Sequence, residues 1–257
     1  MRIRIQKTVE IRDVETWRIV SPPKDPSIQW KSGRSAKELA RFATDPSFED
    51  FIRWVLNYSG VKEQDFICEP EAETYFERQG SETIDLGRSG PRNHDLLMVG
   101  ETCVIGIEAK VSEKFGNYTV RQEWDRTTSE NKRKKRIPGL IQFLSNGKYK
   151  GYEDSPDSVK SLQYQLLTAT VGTVLEAIRR GKKEAIVLVL VFTGDVDKED
   201  DYEQNVANND VAFNAFVNEF FVDVTAIIQN VKCRIIEKKV DIQSYYRFID
   251  LHHRDLF

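Results

Sequence analysis

The first third of the chain carries apolar residues at helical spacing. Ala36 to Ala43 follows Gly33-Arg34-Ser35, with Ser35 placed to cap a helix and Glu38 three residues on, as in a capping box. Asp45-Pro46 opens a second helix, since proline is tolerated in a first turn. Phe48, Phe51, Ile52, Val55 and Leu56 make its apolar stripe, and Asn57 to Gly60 ends it. Ahead of these helices the pattern is poorer. Arg2 to Ile11 alternates well enough for a strand, and Ser21 to Ser27 (SPPKDPS) reads as a proline-rich loop.

A period of two then takes over. Glu73 to Arg78 (ETYFER) is a weak strand, His94 to Val99 a stronger one, and Thr102 to Val111 the clearest, with Gly100-Glu101 as the hairpin turn between the last two. Residues 112–138 read as irregular or partly helical. Ser158 to Arg180 is a long helix whose apolar face holds Leu162, Leu166, Ala169, Val174, Ala177 and Ile178, with Gly181 as its C-cap. Ala185 to Phe192 (AIVLVLVF) is a continuous run, the pattern of a strand buried on both faces. Val211 to Ile228 reads as an amphipathic helix and Cys233 to Val240 as a further strand. A hairpin followed by an α/β crossover predicts an α/β fold with a mixed central sheet and helices on both faces. The length of 257 residues suits a single domain. Within it, 1–32 form an N-terminal extension, 33–192 a core, and 193–257 a C-terminal αβ addition.

Composition narrows the partners. A net charge of −3 and a pI of about 5.8 exclude a protein that coats nucleic acid along its whole surface. Any such contact has to come from a local patch, and the basic block is Lys132-Arg133-Lys134-Lys135-Arg136. It reads either as a solvated loop or as a contact to phosphate backbone, the second being favoured by its closeness to the chemistry described next. Tyr118 and Trp124 flank it, with stacking on bases as the alternative to ordinary packing. Cys68, Cys103 and Cys233 are far apart and in no metal-binding spacing, so neither a disulfide framework nor a zinc site is expected. The N-terminus lacks the apolar core of a signal peptide, and Ala185 to Phe192 is far too short to span a bilayer. The expected location is the cytoplasm, away from membrane.

The candidate chemistry lies in Ile107-Glu108-Ala109-Lys110. Alternate strand residues share a face, so Glu108 and Lys110 point one way while Ile107, Ala109 and Val111 enter apolar packing. Two charged groups on a core strand are costly unless something pairs or uses them. The hairpin between Val99 and Thr102 brings Asp95 alongside Glu108. His252-His253 is not spaced as a metal pair and reads as surface. The acidic run Asp195, Asp197, Glu199, Asp200 and Asp201 lacks the EF-hand spacing and reads as solvated.

An aspartate, a short spacer, then Glu-x-Lys on the next strand resembles the PD-(D/E)xK nuclease superfamily. The order of elements from about residue 35 to residue 192 matches that superfamily's helix, three strands, helix and strand. It departs at His94, where the superfamily pattern has proline. The resemblance implies a restriction-endonuclease-like sheet with 33–192 as a nuclease-like core, and a metal-dependent phosphodiesterase acting on DNA. Asp95 and Glu108 would bind Mg²⁺ or Mn²⁺, the Ala109 carbonyl is a further ligand, and Lys110 would serve the attacking water or the transition state. It also implies a glutamate from the first helix, Glu38 by order with Glu49 as the competitor, and a glutamine on the helix after the Glu-x-Lys strand, Gln165. As alternatives, Glu38 only closes a capping box, and Gln165 is a core amide with a partner of its own. Many members are dimers, so a homodimer is allowed. The other reading of the whole is a silent site in a nucleic-acid-binding or protein-interaction module, its charges forming a structural ion pair.

Overall fold

The computed structural model describes residues 1–76, 92–111, 113–127, 132–194 and 202–242, with backbone only for 132–135 and 202. The architecture is α/β: one mixed sheet with eight strands among the described residues, covered by helices on both faces. The strands are β1 (Ile3–Gln6), β2 (Glu10–Ile11), β3 (Phe66–Thr74), β4 (Arg92–Val99), β5 (Cys103–Lys110), β6 (Glu184–Thr193), β7 (Thr225–Ile228) and β8 (Val231–Asp241). Their order across the sheet is β2-β1-β3-β4-β5-β6-β8-β7. β4 runs antiparallel to both its neighbours, β3 and β5, while β5, β6 and β8 are mutually parallel.

Strand alternation divides the core in two. Ile105, Ile107, Ala109, Ile186, Leu188 and Leu190 face α3 (Ser35–Ala43) and α4 (Ser47–Ser59). Val104, Val187, Val189, Cys233 and Ile235 face α6 (Lys132–Leu144), α8 (Tyr164–Arg179) and α9 (Tyr202–Phe220). β6 is buried on both sides, as its continuous apolar run predicts. α4 ends at Gly60, whose φ of 63° closes the helix in the left-handed region open to glycine.

Several boundaries differ from the sequence pattern, each for a local reason. The expected strand at 73–78 lies earlier, as β3, and residues 77 and 78 are outside the described set. Pro70 hides β3, because proline is rare inside a central strand. A short helix, α1 (Val14–Val20), was not anticipated. Asp13 caps it by accepting the Thr16 N–H at 2.7 Å, and Trp17 anchors it in the core. The proline-rich stretch holds α2 (Pro26–Gln29). The expected helix at 211–228 is α9, which begins at Tyr202 and stops at Phe220. The polar stretch before Val211 becomes helical because Asn209 is buried, accepts the Phe115 N–H and donates to the Glu113 carbonyl. Val222 to Ile228 cannot continue it, since Asp223 and Val224 turn through positive φ into β7.

The long helix expected at 158–180 is two: α7 (Asp157–Lys160) and α8. The break exists because Leu162 accepts the Val120 N–H and Tyr164 donates to the Tyr118 carbonyl, tying α5 (Val120–Asp125) to the gap. Gln165 is thereby placed in the first turn of α8. That helix crosses β5 at Gly106, where an added Cβ would meet Thr173 Oγ1 at 2.1 Å and His94 Nδ1 at 3.1 Å. The Gly106→Ala protein should be less stable by about 1–3 kcal/mol, the usual cost of overpacking. Urea titration followed by circular dichroism measures it, and an unchanged midpoint would show that α8 does not sit this close.

Candidate functional site

β4 and β5 pair from Val99↔Val104 to Leu96↔Ile107, and there the ladder stops. The next step would oppose Asp95 to Glu108. Instead the Asp95 carboxylate enters the ladder: its Oδ2 accepts the Ala109 N–H at 2.7 Å. The β3–β4 ladder is interrupted at the same level, with Pro70↔Leu96 and Ala72↔His94 paired on either side of Glu71 and Asp95. Glu71 has φ 50°, a strained value for a non-glycine residue inside a strand. Leu96 lies under α3 and α4, whereas His94 packs against Gly172 of α8. β4 thus changes face across Asp95, which strict alternation does not foresee.

Glu108 and Lys110 are almost fully buried on the α8 side of β5. Lys110 Nζ stands 2.8 Å from Glu108 Oε1, and the Gln165 amide Nε2 also donates to that oxygen. The other oxygen, Oε2, takes the Arg92 guanidinium, itself anchored to Thr168 Oγ1 at 3.2 Å. Gln165 therefore has the partner its apolar helix face calls for, and the partner is Glu108. Arg92 and Glu71 are the residues the sequence did not disclose. Arg92 sits just beyond the recognisable strand pattern, and the one signal for Glu71 was Pro70, which a central strand accepts at a bulge.

The charges at the centre are unevenly satisfied. Burial works to raise the Glu108 carboxyl, but Lys110 and Arg92 outweigh it by charge and hydrogen bond and hold it at about 2. Asp95 goes the other way. Burial raises its carboxyl well above the usual range, Glu108 and Glu71 add to that, and Lys110 with the Ala109 N–H oppose it without prevailing. Lys110 is penalised by burial, yet Glu108, Asp95 and Glu113 raise it above its ordinary value, so it stays an ammonium. Burial, followed by the Arg92 charge, pushes the His94 imidazole down to about 3. It is a neutral packing residue bonded to Thr74 Oγ1 at 3.0 Å.

Asp95, Glu71 and Glu113 line a cavity of about 410 Å³, whose other wall includes Lys24, Arg34 and Ser35. Asp95 Oδ1 has no hydrogen-bond partner among the described residues. Mg²⁺ takes one or two protein carboxylates and keeps waters; of the two expected ligands, Asp95 lines this cavity and Glu108 does not. As the side chains stand, no three His, Cys, Asp or Glu among the described residues are grouped closely enough to enclose an ion. Asp95 and Glu108 are the residues that would hold one.

The remaining expected residues are placed as follows. Glu38 is buried, accepting the Gly33 N–H and the Arg41 guanidinium, each at 2.9 Å. It ties down the entry to α3, and the expected capping box does not form, because Arg34 is the cap and Ser35 already the first helical residue. Glu49 holds the Ile3 N–H and so ties α4 to β1. The basic block opens α6; Arg136 is turned inward over the Phe76 ring at 4.5 Å, and the side chains of 132–135 are outside the described set. Trp124 stacks on Tyr152 at 4.2 Å, and Arg126 lies over Tyr118 at 4.1 Å. His252-His253 and the acidic run from Asp195 to Asp201 are outside the described residues.

One family's sequence model, described as a domain of unknown function (DUF6946), matches residues 10–240. The chain belongs to the DUF6946 family. The match takes in β4, β5 and α8, the elements that carry Asp95, Glu108, Lys110 and Gln165. No curated protein and no solved structure matches the chain. No helix among the described residues of this DUF6946 protein is long and apolar enough to cross a membrane.

The charge imbalance at Asp95 yields a stability test. Its folded carboxyl is raised, so the ionised form costs stability increasingly as pH climbs above the unfolded value near 3.8. Asp95→Asn removes that cost and keeps an oxygen for the Ala109 N–H. The variant should be more stable than wild type by ~1 kcal/mol at pH 7.5, with the gain fading toward pH 4. Thermal melts at both pH values measure it; a variant less stable at neutral pH would contradict the buried, under-neutralised aspartate.

Proposed function

We propose that the chain is a metal-dependent phosphodiesterase acting on nucleic acid, DNA in the first instance, with a restriction-endonuclease-like core of the PD-(D/E)xK kind. The observation that carries this is the meeting of Asp95, Glu108 and Lys110 where β4 and β5 part, with the Asp95 carboxylate held by the Ala109 N–H. In support, Asp95 is a carboxylate short of positive charge at the wall of a cavity that also presents Lys24 and Arg34.

Mg²⁺ held by Asp95 and Glu108 would supply charge neutralisation and an acidified water. The chain's own residues do the rest. Lys110, fixed by Glu108 and kept charged, donates hydrogen bonds to the attacking water or to a phosphate oxygen that gains charge, and as an ammonium it does not accept the water's proton. Gln165 holds Glu108 in one rotamer. Lys24 and Arg34 face the same cavity as Asp95 and would position phosphate there.

One observation favours a second reading. Both Glu108 oxygens are already occupied by Arg92, Lys110 and Gln165, as in a self-satisfied ion-pair network of a binding module without catalysis. Calorimetry with Mn²⁺ separates the two. The proposed centre binds the ion in wild type and at least about tenfold more weakly in Asp95→Ala; no heat in either protein removes it. With linear, nicked and single-stranded DNA and with RNA, Lys110→Met should abolish cleavage while leaving the circular dichroism spectrum intact. Cleavage retained by that protein would overturn the role given to Lys110.

A further inference from the structure

A second glutamate–lysine pair stands level with the first. β8 carries Glu237 and Lys239 in register with Glu108 and Lys110 of β5, with Val189 and Val191 of β6 between them. Strand spacing puts the two glutamates about 10 Å apart. The second pair faces α9. Cys233 and Ile235, earlier on the same side of β8, share an apolar core with Phe213 and Phe216 of that helix. Both apolar rows end in an acid: Asp210, three residues before Phe213, and Glu237, two after Ile235.

The two acids are unequally served. Lys239 Nζ reaches Asp210 Oδ2 at 2.7 Å. Asp210 Oδ1 and Glu237 Oε1 are both buried, and neither has a hydrogen-bond partner among the described residues. Two buried acceptors on opposing elements, with no donor between them, are unfavourable while both acids are ionised. One proton answers both, since a protonated Glu237 can donate to Asp210 Oδ1. The charged groups that bear on Glu237 are Asp210 from α9 and Lys239 from its own strand, and its strand partner on β6 is the apolar Val189. Burial, followed by the Asp210 charge, pushes the Glu237 carboxyl up to about 7, with Lys239 opposing.

This contact is joined to the candidate centre by a short chain of bonds. Asn209, next to Asp210, accepts the Phe115 N–H and donates to the Glu113 carbonyl, each at 3.0 Å. The Glu113 carboxylate accepts the Val111 N–H at 2.9 Å, lines the Asp95 cavity and helps to keep Lys110 charged. Loosening the start of α9 therefore loosens the segment that follows Lys110.

We propose that a proton held between Glu237 and Asp210 latches the start of α9 onto β8, and that its release frees the helix and, through Asn209, the 113–115 segment beside the candidate centre. The latch is independent of the function proposed above; its effect on cleavage rests on that function.

The latched state keeps a proton that the open state gives up above the ordinary glutamate value of 4.5. Latching is therefore complete below that pH, weakens by about tenfold per pH unit up to about 7, and changes no further above it.

The test is amide hydrogen exchange on the metal-free full chain between pH 5 and 9, corrected for the intrinsic exchange rate. In wild type the amides of 206–213 and of Phe115 should lose protection by about tenfold or more between pH 5 and 7, relative to α8, and stay level from pH 8 to 9. Glu237→Gln, which donates without titrating, should make the same amides insensitive to pH. Asp210→Asn, which offers its own amide to Glu237, should do likewise and serves if Glu237→Gln does not fold. Protection in wild type that is level or rises with pH, a loss shared equally by α8, or the wild-type pH dependence in either folded variant would each overturn the latch. Should the chain cleave DNA, the Glu237→Gln protein should lack a step near neutrality in the wild-type pH profile of kcat; a step retained would overturn the link to the centre. Absence of cleavage removes the proposed function and leaves the exchange result standing, and loss of the latch leaves cleavage standing.

Discussion

The burial of Glu108 is the constraint on which the centre of this protein depends. A carboxylate taken out of water is tolerated only with its charge answered and its lone pairs filled. Here Lys110 comes from its own strand, Arg92 from the neighbouring strand and Gln165 from the helix above. Three elements are thus locked in register by one side chain. Loss of a cation would leave the rest of an ion-pair network buried and unpaired, which is more costly than never having built it.

That lock leaves Asp95 out. Positive charge is concentrated on Glu108, so its neighbour across the parted strands has its carboxyl raised well above the usual range, burial being the main cause. The strain of Glu71 in the adjoining strand occurs at the same level. Unfavourable local features gathered at one point of an otherwise well-packed sheet are what a ligand-binding centre presents, because the ligand supplies the missing interaction. Cavities on either side of the centre differ in sign. The one at Asp95 has three carboxylates in its lining; the one at Gln165 has three arginines against a single carboxylate.

The pairing of Glu108 with Lys110 was legible because strand alternation is a local rule, and so was the wish of Gln165 for a partner on an apolar helix face. Glu38 shows the limit of reading by order. Its place on the first long helix suited either a capping box or the metal centre, and its carboxylate instead holds the loop before that helix. Arg136 shows another. A run of five cations reads as a solvated loop or a phosphate contact, yet its last member is buried against Phe76. The Asn-rich start of α9 falls outside the helix expected at 211–228 because nothing local reveals that Phe115 and Glu113 will bond Asn209.

By itself the sequence determined the α/β class, the buried strand β6, the β4–β5 hairpin and the shared face of Glu108 and Lys110. Each follows from periodicity over a few residues, where side-chain direction is a property of the local backbone. Only the tertiary structure decided that β4 changes face at Asp95, that Glu71 adjoins it and that Arg92 reaches Glu108. It also decided that the long helix breaks to set Gln165 in a first turn. These depend on where ladders end and on contacts between residues far apart in the chain, and no local pattern encodes that. The Asp–Glu–Lys centre is therefore half of each kind: the Glu-x-Lys pair belongs to its strand, and the aspartate belongs to the fold.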